Sequence, residues 1–265
     1  MTPAPNEREI LYAKTDGVAR ITINRPEVHN AVTDKHLELM CECFRDADAD
    51  AAIGVVVLTG AGDRAFSSGG DVGWEKQGGA KAVFQGGGPD VHRAMRECLK
   101  PVIAAVKGWA IGLGNHLAYS ADITIAADNA VFGQVGPRVA SPADGWNVAY
   151  LTHIVGAKKA REMWYMCRRY DAHEAERMGL VNKVVPLAEL DAEVDRWSEE
   201  LLAVSPTCLR ILKASFEASF DPIRQPLGSM QRLIAPSFIG SSEQLEGASA
   251  FLEKRKPNFR GTSPE

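Results

Sequence analysis

The stretch KPVIAAVKGWAIGLGNHLAYSADITIAADNAVFGQVGPRVASPADGW, residues 100–146, decides how this chain is read. It holds two short apolar runs, Val102–Val106 and Ile123–Ala127, each with the length and β-branched content of a buried strand. Between them Gly112-Leu113-Gly114 predicts a tight turn ahead of a helix-compatible segment at residues 116–119. Backbone N–H groups at such a turn have no intrahelical partner, so they can point at an anion or a developing oxyanion. A lone G-x-G can equally be a turn that needs positive φ. The neighbouring sequence has to discriminate.

Upstream, residues 10–12 and Val18–Ile23 read as two strands joined at Asp16-Gly17, a common hairpin dipeptide. Residues 25–31 form a loop, and Thr33 caps a helix running to Ala49, with Leu37, Met40, Cys41 and Phe44 at helical spacing. The run GVVVLT at residues 54–59 suits a buried parallel strand. A second glycine turn follows at Ser67-Ser68-Gly69-Gly70-Asp71, ahead of a glycine-rich, poorly patterned segment at residues 73–88 expected to be mobile. Asp90 opens another helix, which feeds the strand at Val102–Val106. This alternation predicts an α/β architecture of parallel crossover units. Downstream, residues 148–169 are mostly helix formers, Asp171 caps a short helix, residues 181–185 are the last strand candidate, and everything from residue 187 onward reads as helix. The expected division is an α/β core over residues 1–200 and a helical C-terminal region over residues 201–265.

With 265 residues the chain can bury a sizeable core, and 45% hydrophobic with 24% charged residues is an ordinary globular composition. A net charge of -4 gives no basic footprint for nucleic acid. Cys41, Cys43, Cys98, Cys167 and Cys208 show neither zinc nor thioredoxin spacing and are read as reduced thiols of a cytoplasmic protein. No apolar run approaches the ~20 residues of a membrane span. The six histidines are scattered without an H-E-x-x-H pair, so no metal site is expected. The chain also lacks the G-x-S-x-G elbow of α/β-hydrolases and the early G-x-G-x-x-G of dinucleotide folds. If the two glycine turns face one pocket, two N–H groups can hold one carbonyl oxygen and stabilise an enolate.

The segments Ala65-Phe66-Ser67-Ser68-Gly69-Gly70-Asp71, Lys100-Pro101-Val102-Ile103-Ala104, Ala121-Asp122-Ile123 and Phe132-Gly133-Gln134, with the glycine turn at residues 108–114 and the R-P-x-x-x-N-A loop at residues 25–31, resemble the crotonase (enoyl-CoA hydratase/isomerase) superfamily over almost the whole chain. The resemblance implies a crotonase-like spiral of ββα units followed by helices that trimerise, giving a homotrimer or a dimer of trimers. It implies an acyl-CoA thioester as substrate, no tightly bound cofactor, and a thioester carbonyl held by the N–H groups of Gly70 and Leu113. Coenzyme A would be contacted by Val28, His29 and Ala31, by Ser68, Gly69 and Asp71, and by Lys254.

Hydratases of this superfamily carry two glutamates at the positions occupied here by His116 and Gly136. A glycine transfers no proton, so standard hydration is not expected. The runs Phe132-Gly133-Gln134-Val135-Gly136-Pro137-Arg138 and Lys158-Lys159-Ala160-Arg161-Glu162-Met163-Trp164 are similar to the subgroup of 1,4-dihydroxy-2-naphthoyl-CoA synthase and 2-ketocyclohexanecarboxyl-CoA hydrolase, which close or open rings by Claisen-type chemistry. In synthases of that kind that use bicarbonate as a surrogate base, the ion sits among residues matching Gln134, Gly136 and Trp164, and the glycine is expected to leave room for it. Taken singly, Gln134 is a loop amide and Trp164 a core aromatic. The subgroup's aspartate would fall at Ala143, and here the acid, Asp144, stands one place later. Asp144 or His116 is therefore the expected general acid/base, with Ser141 holding a substrate oxygen or capping the next helix. The competing readings are a hydratase or isomerase with non-standard acids, and an acyl-CoA-binding protein that has lost the chemistry.

Overall fold

The computed structural model describes residues 9–79, 88–141, 143, 145–220 and 233–259. The chain opens with a hairpin of β1 (Ile10–Thr15) and β2 (Val18–Ile23), then helix α1 (Asp34–Ala49). Three successive units follow, each with one strand for each of two sheets. The first contributes β3 (Val55–Gly60) and β4 (Ala65–Ser67), then α2 (Val72–Lys76) and α3 (Val91–Glu97). The second contributes β5 (Val102–Val106), β6 (Trp109–Ile111) and α4 (Leu113–Ser120), and the third β7 (Ile123–Ala127), β8 (Val131–Gly133) and α5 (Gly136–Val139). Helices α6 (Gly145–Val155) and α7 (Ala157–Met166), strand β9 (Arg169–Asp171), α8 (Ala172–Arg177) and β10 (Lys183–Val185) complete the sheets. Helices α9 (Leu190–Leu202), α10 (Pro206–Ala218) and α11 (Ser242–Leu252) end the described chain.

The large sheet has the order β1-β2-β3-β5-β7-β10, parallel from β2 to β10, and the small one the order β4-β6-β8-β9, parallel from β4 to β8. Each unit thus steps one strand along both sheets, which is the expected spiral of ββα units. Alternation across β3 and β5 explains why their sequences are apolar throughout. Val56, Leu58, Val102 and Ala104 face a core with Met40 and Phe44 of α1, while Val55, Val57, Ile103 and Ala105 face Leu190 and Val194 of α9. Each such fully buried Val or Leu contributes about 1.5–3 kcal/mol.

The expectations need four corrections. Strands β4, β6 and β8 have three residues each, too short for a period-2 signal, so the glycine turn at Gly112 follows β6 rather than the long run of β5. The segment expected to be poorly patterned from residue 73 contains α2, capped by the Asp71 side chain, which accepts from Trp74 N at 3.1 Å; residues 80–87 lie outside the described residues. The helical stretch at 148–169 is two helices, divided at Gly156 with φ +77°. The last strand begins at Lys183: Val181 N still donates back to Ala175 O of α8, and Asn182 N meets Thr124 O of β7 just before the strand.

The C-terminal helices are tied to the core. Lys213 of α10 is buried and donates to Asp122 Oδ2 at 2.8 Å and to Lys100 O at 2.9 Å. Helix α11 packs on α2 and α5, where a Cβ on Gly247 would stand 2.6 Å from the Ala140 Cβ. Cys41, Cys43, Cys98 and Cys167 are buried thiols and Cys208 is exposed. Among the described residues no helix is long and apolar enough to cross a membrane, and no group of three or more His, Cys, Asp or Glu side chains could hold a metal ion.

Candidate active site

Parallel strands place their C-terminal ends at one edge, where an open α/β sheet characteristically binds ligands. In the small sheet β4, β6 and β8 run side by side, so the chain segments leaving them, Ser68 to Asp71, Gly112 to Leu113 and Gln134 to Gly136, emerge together. The first two are in close contact. Gly69 adopts φ +99°, and a Cβ there would stand 2.8 Å from Ile111 O and 3.2 Å from Leu113 N. A Cβ on Gly114 would collide with the Ser67 carbonyl. Gly112, with φ +57°, turns the chain so that Leu113 is the first residue of α4, where an N–H has no intrahelical acceptor. On the other turn Val32 N donates to Gly69 O and Asp71 N to Val32 O, both at 2.9 Å. That parallel bridge leaves the N–H of the intervening Gly70 directed to the opposite side.

The loop expected to contact coenzyme A adjoins the first turn. A 3-10 turn at Pro26–Val28 is followed by His29 and Asn30, both with positive φ. Asn30 is fully buried and holds three backbone groups. Its Nδ2 donates to Ala61 O at 3.0 Å and Ala65 O at 2.7 Å, and its Oδ1 accepts from Arg25 N at 2.9 Å. Ser68 N donates to His29 O at 2.9 Å, and Arg25 Nη1 bonds Ala31 O at 2.6 Å and lies 3.5 Å from Asp71. Val28, His29 and Ala31 are thereby brought together with Ser68, Gly69 and Asp71. Val28 is exposed and Ala31 buried. Lys254 is an exposed residue of the turn after α11, with φ +54°.

A carboxylate that the sequence reading missed stands at the first turn. Glu75 of α2 folds back over Gly70, where its Oε1 occupies the space a Cβ would need. Burial pushes its pKa up, opposed by a hydrogen bond from the Ser141 side chain, while the nearby Asp71 charge adds to the rise. The signal that could have found it is the helical turn from Asp71 to Glu75, which returns a side chain at position i+4 to the strand end that precedes it. Ser141, which follows α5, therefore meets Glu75. Asp144 lies outside the described residues.

Beneath the second turn the polar groups are buried. His116 of α4 is packed against His92, Tyr119 and Trp164, with ring centroids 5.8, 5.6 and 5.5 Å away. Burial and the neighbouring His92 pull its pKa down to about 3, against the effect of the Gln134 amide. His92 of α3 is likewise pulled down to about 3, by burial and by the Arg96 charge. Gln134 is fully buried with its amide beside the His116 ring, and Trp164 Nε1 has no hydrogen-bond partner among the described residues. Such an orphaned polar atom is costly and suits a small polar guest such as water or an oxyanion.

The structure corrects the reason for glycine at position 136. A Cβ there would stand 2.5 Å from Ser141 O and 3.9 Å from Trp164 Cζ3. The direction that a side chain would take is filled by the returning backbone, so the glycine serves a close approach and leaves no open space.

The enoyl-CoA hydratase/isomerase family model matches residues 13–262. An enoyl-CoA hydratase/isomerase from Xanthobacter autotrophicus Py2 is 30% identical over 95% of this chain and 99% of its own, with a TM-score of 0.81. A monofunctional enoyl CoA isomerase from M. smegmatis is 34% identical over 81% of this chain and 94% of its own, with a TM-score of 0.69. An enoyl-CoA hydratase from Mycobacterium avium subsp. paratuberculosis K-10 is 29% identical over 95% and 98%, with a TM-score of 0.81.

Proposed function

The chain belongs to the enoyl-CoA hydratase/isomerase family of the crotonase superfamily, whose members act on CoA thioesters, and on that premise we propose that it forms or cleaves a carbon-carbon bond of a β-keto or cyclic acyl-CoA through a thioester enolate. The carrying observation is the close contact of the two glycine turns, with Gly70 and Leu113 as the donors for the thioester oxygen. Such donors act in a site that excludes water and are each worth about 3 kcal/mol of transition-state stabilisation. The loop of Val28, His29 and Ala31, the turn of Ser68, Gly69 and Asp71, and Lys254 bind the coenzyme A moiety in this reading.

Two features disfavour water addition by a pair of acids. Position 136 carries a glycine pressed against Ser141 O, and position 116 a histidine held neutral by burial. In ring opening, hydroxide from water adds to the ring ketone, the bond to the α-carbon breaks, its electron pair passes to the thioester oxygen as an enolate, and a proton returns to the α-carbon. Ring closure is the reverse. The buried Gln134 amide and the unpaired Trp164 Nε1, with His116 beside them, support bicarbonate as a surrogate base. Asp144 stays a candidate acid by its position after Ser141.

A second reading, double-bond isomerisation, is favoured by Glu75, since one carboxylate beside an oxyanion site suffices to move a proton between two carbons. An assay of three substrates separates them, each with and without bicarbonate. A cyclic β-keto acyl-CoA is expected to turn over fastest, seen as a new carboxylate and proton release. Faster loss of crotonyl-CoA absorbance would replace this reading with hydration, and faster conjugation of a 3-enoyl-CoA with isomerisation. Turnover of none of them, with acyl-CoA still bound, would favour a binding protein.

The region over residues 201–265 is proposed to mediate assembly into a trimer or a dimer of trimers, since Ile211, Leu212 and Phe216 of α10 and the following Leu233 and Ile234 are all more than half exposed. The proposed location is the cytoplasm.

A further inference from the structure

We propose that Glu75 is the catalytic group that takes the proton from, and returns it to, the α-carbon of the acyl-CoA, with Ser141 holding its carboxylate in place. The proposal rests on the enolate reading given above. It stands first on position. Glu75 Oε1 lies directly over Gly70, whose N–H faces the proposed thioester oxygen, and the α-carbon of a thioester is one bond from the carbonyl carbon. A group over Gly70 is therefore near the C–H bond that must break. It stands second on the way the side chain is held. Helix α2 is capped by Asp71 and covered by α11, and the Ser141 side chain hydrogen-bonds Glu75.

The step is balanced without a co-reactant. The carboxylate takes the α-proton, the C–H electron pair becomes the carbon-carbon double bond of the enolate, and the carbonyl π pair moves to the oxygen held by the Gly70 and Leu113 N–H groups. Return of the same proton reverses it. Burial makes Glu75 a stronger base than an exposed carboxylate. Among the described residues Asp71 is the one charge acting on it: Arg138 of α5 is directed to Met166 O, and Glu246 of α11 to Arg255. His116 is a poorer base for the same proton, because burial lowers its pKa to about 3.

The test uses the full chain with butyryl-CoA and cyclohexanecarbonyl-CoA in deuterium oxide. Mass spectrometry follows α-proton exchange, and calorimetry follows binding of the same compounds. The native enzyme is expected to exchange the α-proton, Glu75→Gln to exchange it at least about 100-fold more slowly, the scale for a general base, and Glu75→Asp to recover part of the loss. Binding is expected to stay within about threefold, since the mutation removes a proton acceptor and keeps the shape. Exchange by Glu75→Gln above a tenth of native overturns the assignment alone. Absence of exchange by the native enzyme, with both compounds bound, overturns the enolate reading and this assignment with it. Ser141→Ala supplies an independent measurement that does not depend on Glu75→Gln folding. It removes the hydrogen bond that favours the ionised carboxylate, so the pH at half-maximal exchange should rise. An unchanged midpoint counts against Glu75 as the titrating base.

Discussion

The two glycine turns are built alike and surrounded differently. Each follows a three-residue strand of the small sheet, each enters a helix, and each is proposed to offer one N–H to the thioester oxygen. After the first turn the next helical turn returns a carboxyl group, Glu75, into the space a Cβ on Gly70 would need. After the second turn, α4 goes straight into the core, and its polar side chains are enclosed by rings: His116 among His92, Tyr119 and Trp164, and Asn115 donating to Met163 Sδ. Oxyanion donors need only backbone and survive burial on either turn. Proton transfer needs a side chain that ionises in the working range, and burial without a charged partner removes that from a histidine.

The comparison breaks most sharply at the seam between the turns. Gly69→Ala forces a Cβ onto Ile111 O and a side chain into φ +99°, so the donors should separate. The expected loss is about 10²–10³ in turnover, the cost of one oxyanion donor, with acyl-CoA binding affected far less. Steady-state kinetics on the best substrate of the three-substrate assay reads this. An unchanged kcat would mean the turns do not act as a pair.

The first turn's second support is Asn30. Asn30→Ala leaves Ala61 O, Ala65 O and Arg25 N without the side chain that now bonds them, and should cost about 3 kcal/mol of stability. Urea unfolding measures that loss, and calorimetry should show weaker binding of free coenzyme A, because the same side chain positions the loop of Val28 to Ala31. Native affinity for coenzyme A in a destabilised variant would detach that loop from the site.

The smallest effect separates the second turn from the first by pH. His92 and His116 titrate near 6.5 when unfolded and near 3 when folded. Between those values the unfolded chain binds more protons, so stability rises with pH and is lost as pH falls below about 6.5. The expected loss is roughly 1 kcal/mol per histidine between pH 7 and pH 5.5. Thermal midpoints at those pH values should converge in His116→Asn by about half of the native difference. A native midpoint that does not fall would mean that the rings are not held neutral.

Much of the spiral was legible in the sequence because its large-sheet strands are apolar on both faces: GVVVLT, PVIAAV and ITIAA each bury against helices on two sides, which a run of β-branched residues reports directly. The small-sheet strands were not legible, since three residues carry no period, and their pairing joins positions far apart in the chain, such as Ala65 with Trp109 and Trp109 with Val131. The glycines at 69, 70, 112 and 114 marked the turns. What made Gly136 necessary was the return of Ser141, a contact that no local pattern encodes. Glu75 escaped notice because Gly73, Gly78 and Gly79 around it dilute the helical signal of a five-residue helix whose cap is Asp71.

The sequence by itself determined the strand, turn and helix order, the acyl-CoA family to which the chain is similar, and the absence of glutamates at positions 116 and 136. These are properties of composition and local spacing. Only the tertiary structure decided which polar groups share a pocket and in what charge state. Gln134, Trp164, His92 and His116 come from four separate elements, and their enclosure sets the histidines' protonation. Glu75 acquires its raised basicity from burial over Gly70 and the nearby Asp71 charge, against the Ser141 hydrogen bond. Desolvation depends on what surrounds a group in three dimensions, and a linear sequence does not contain that until the sheets have brought its turns to one edge.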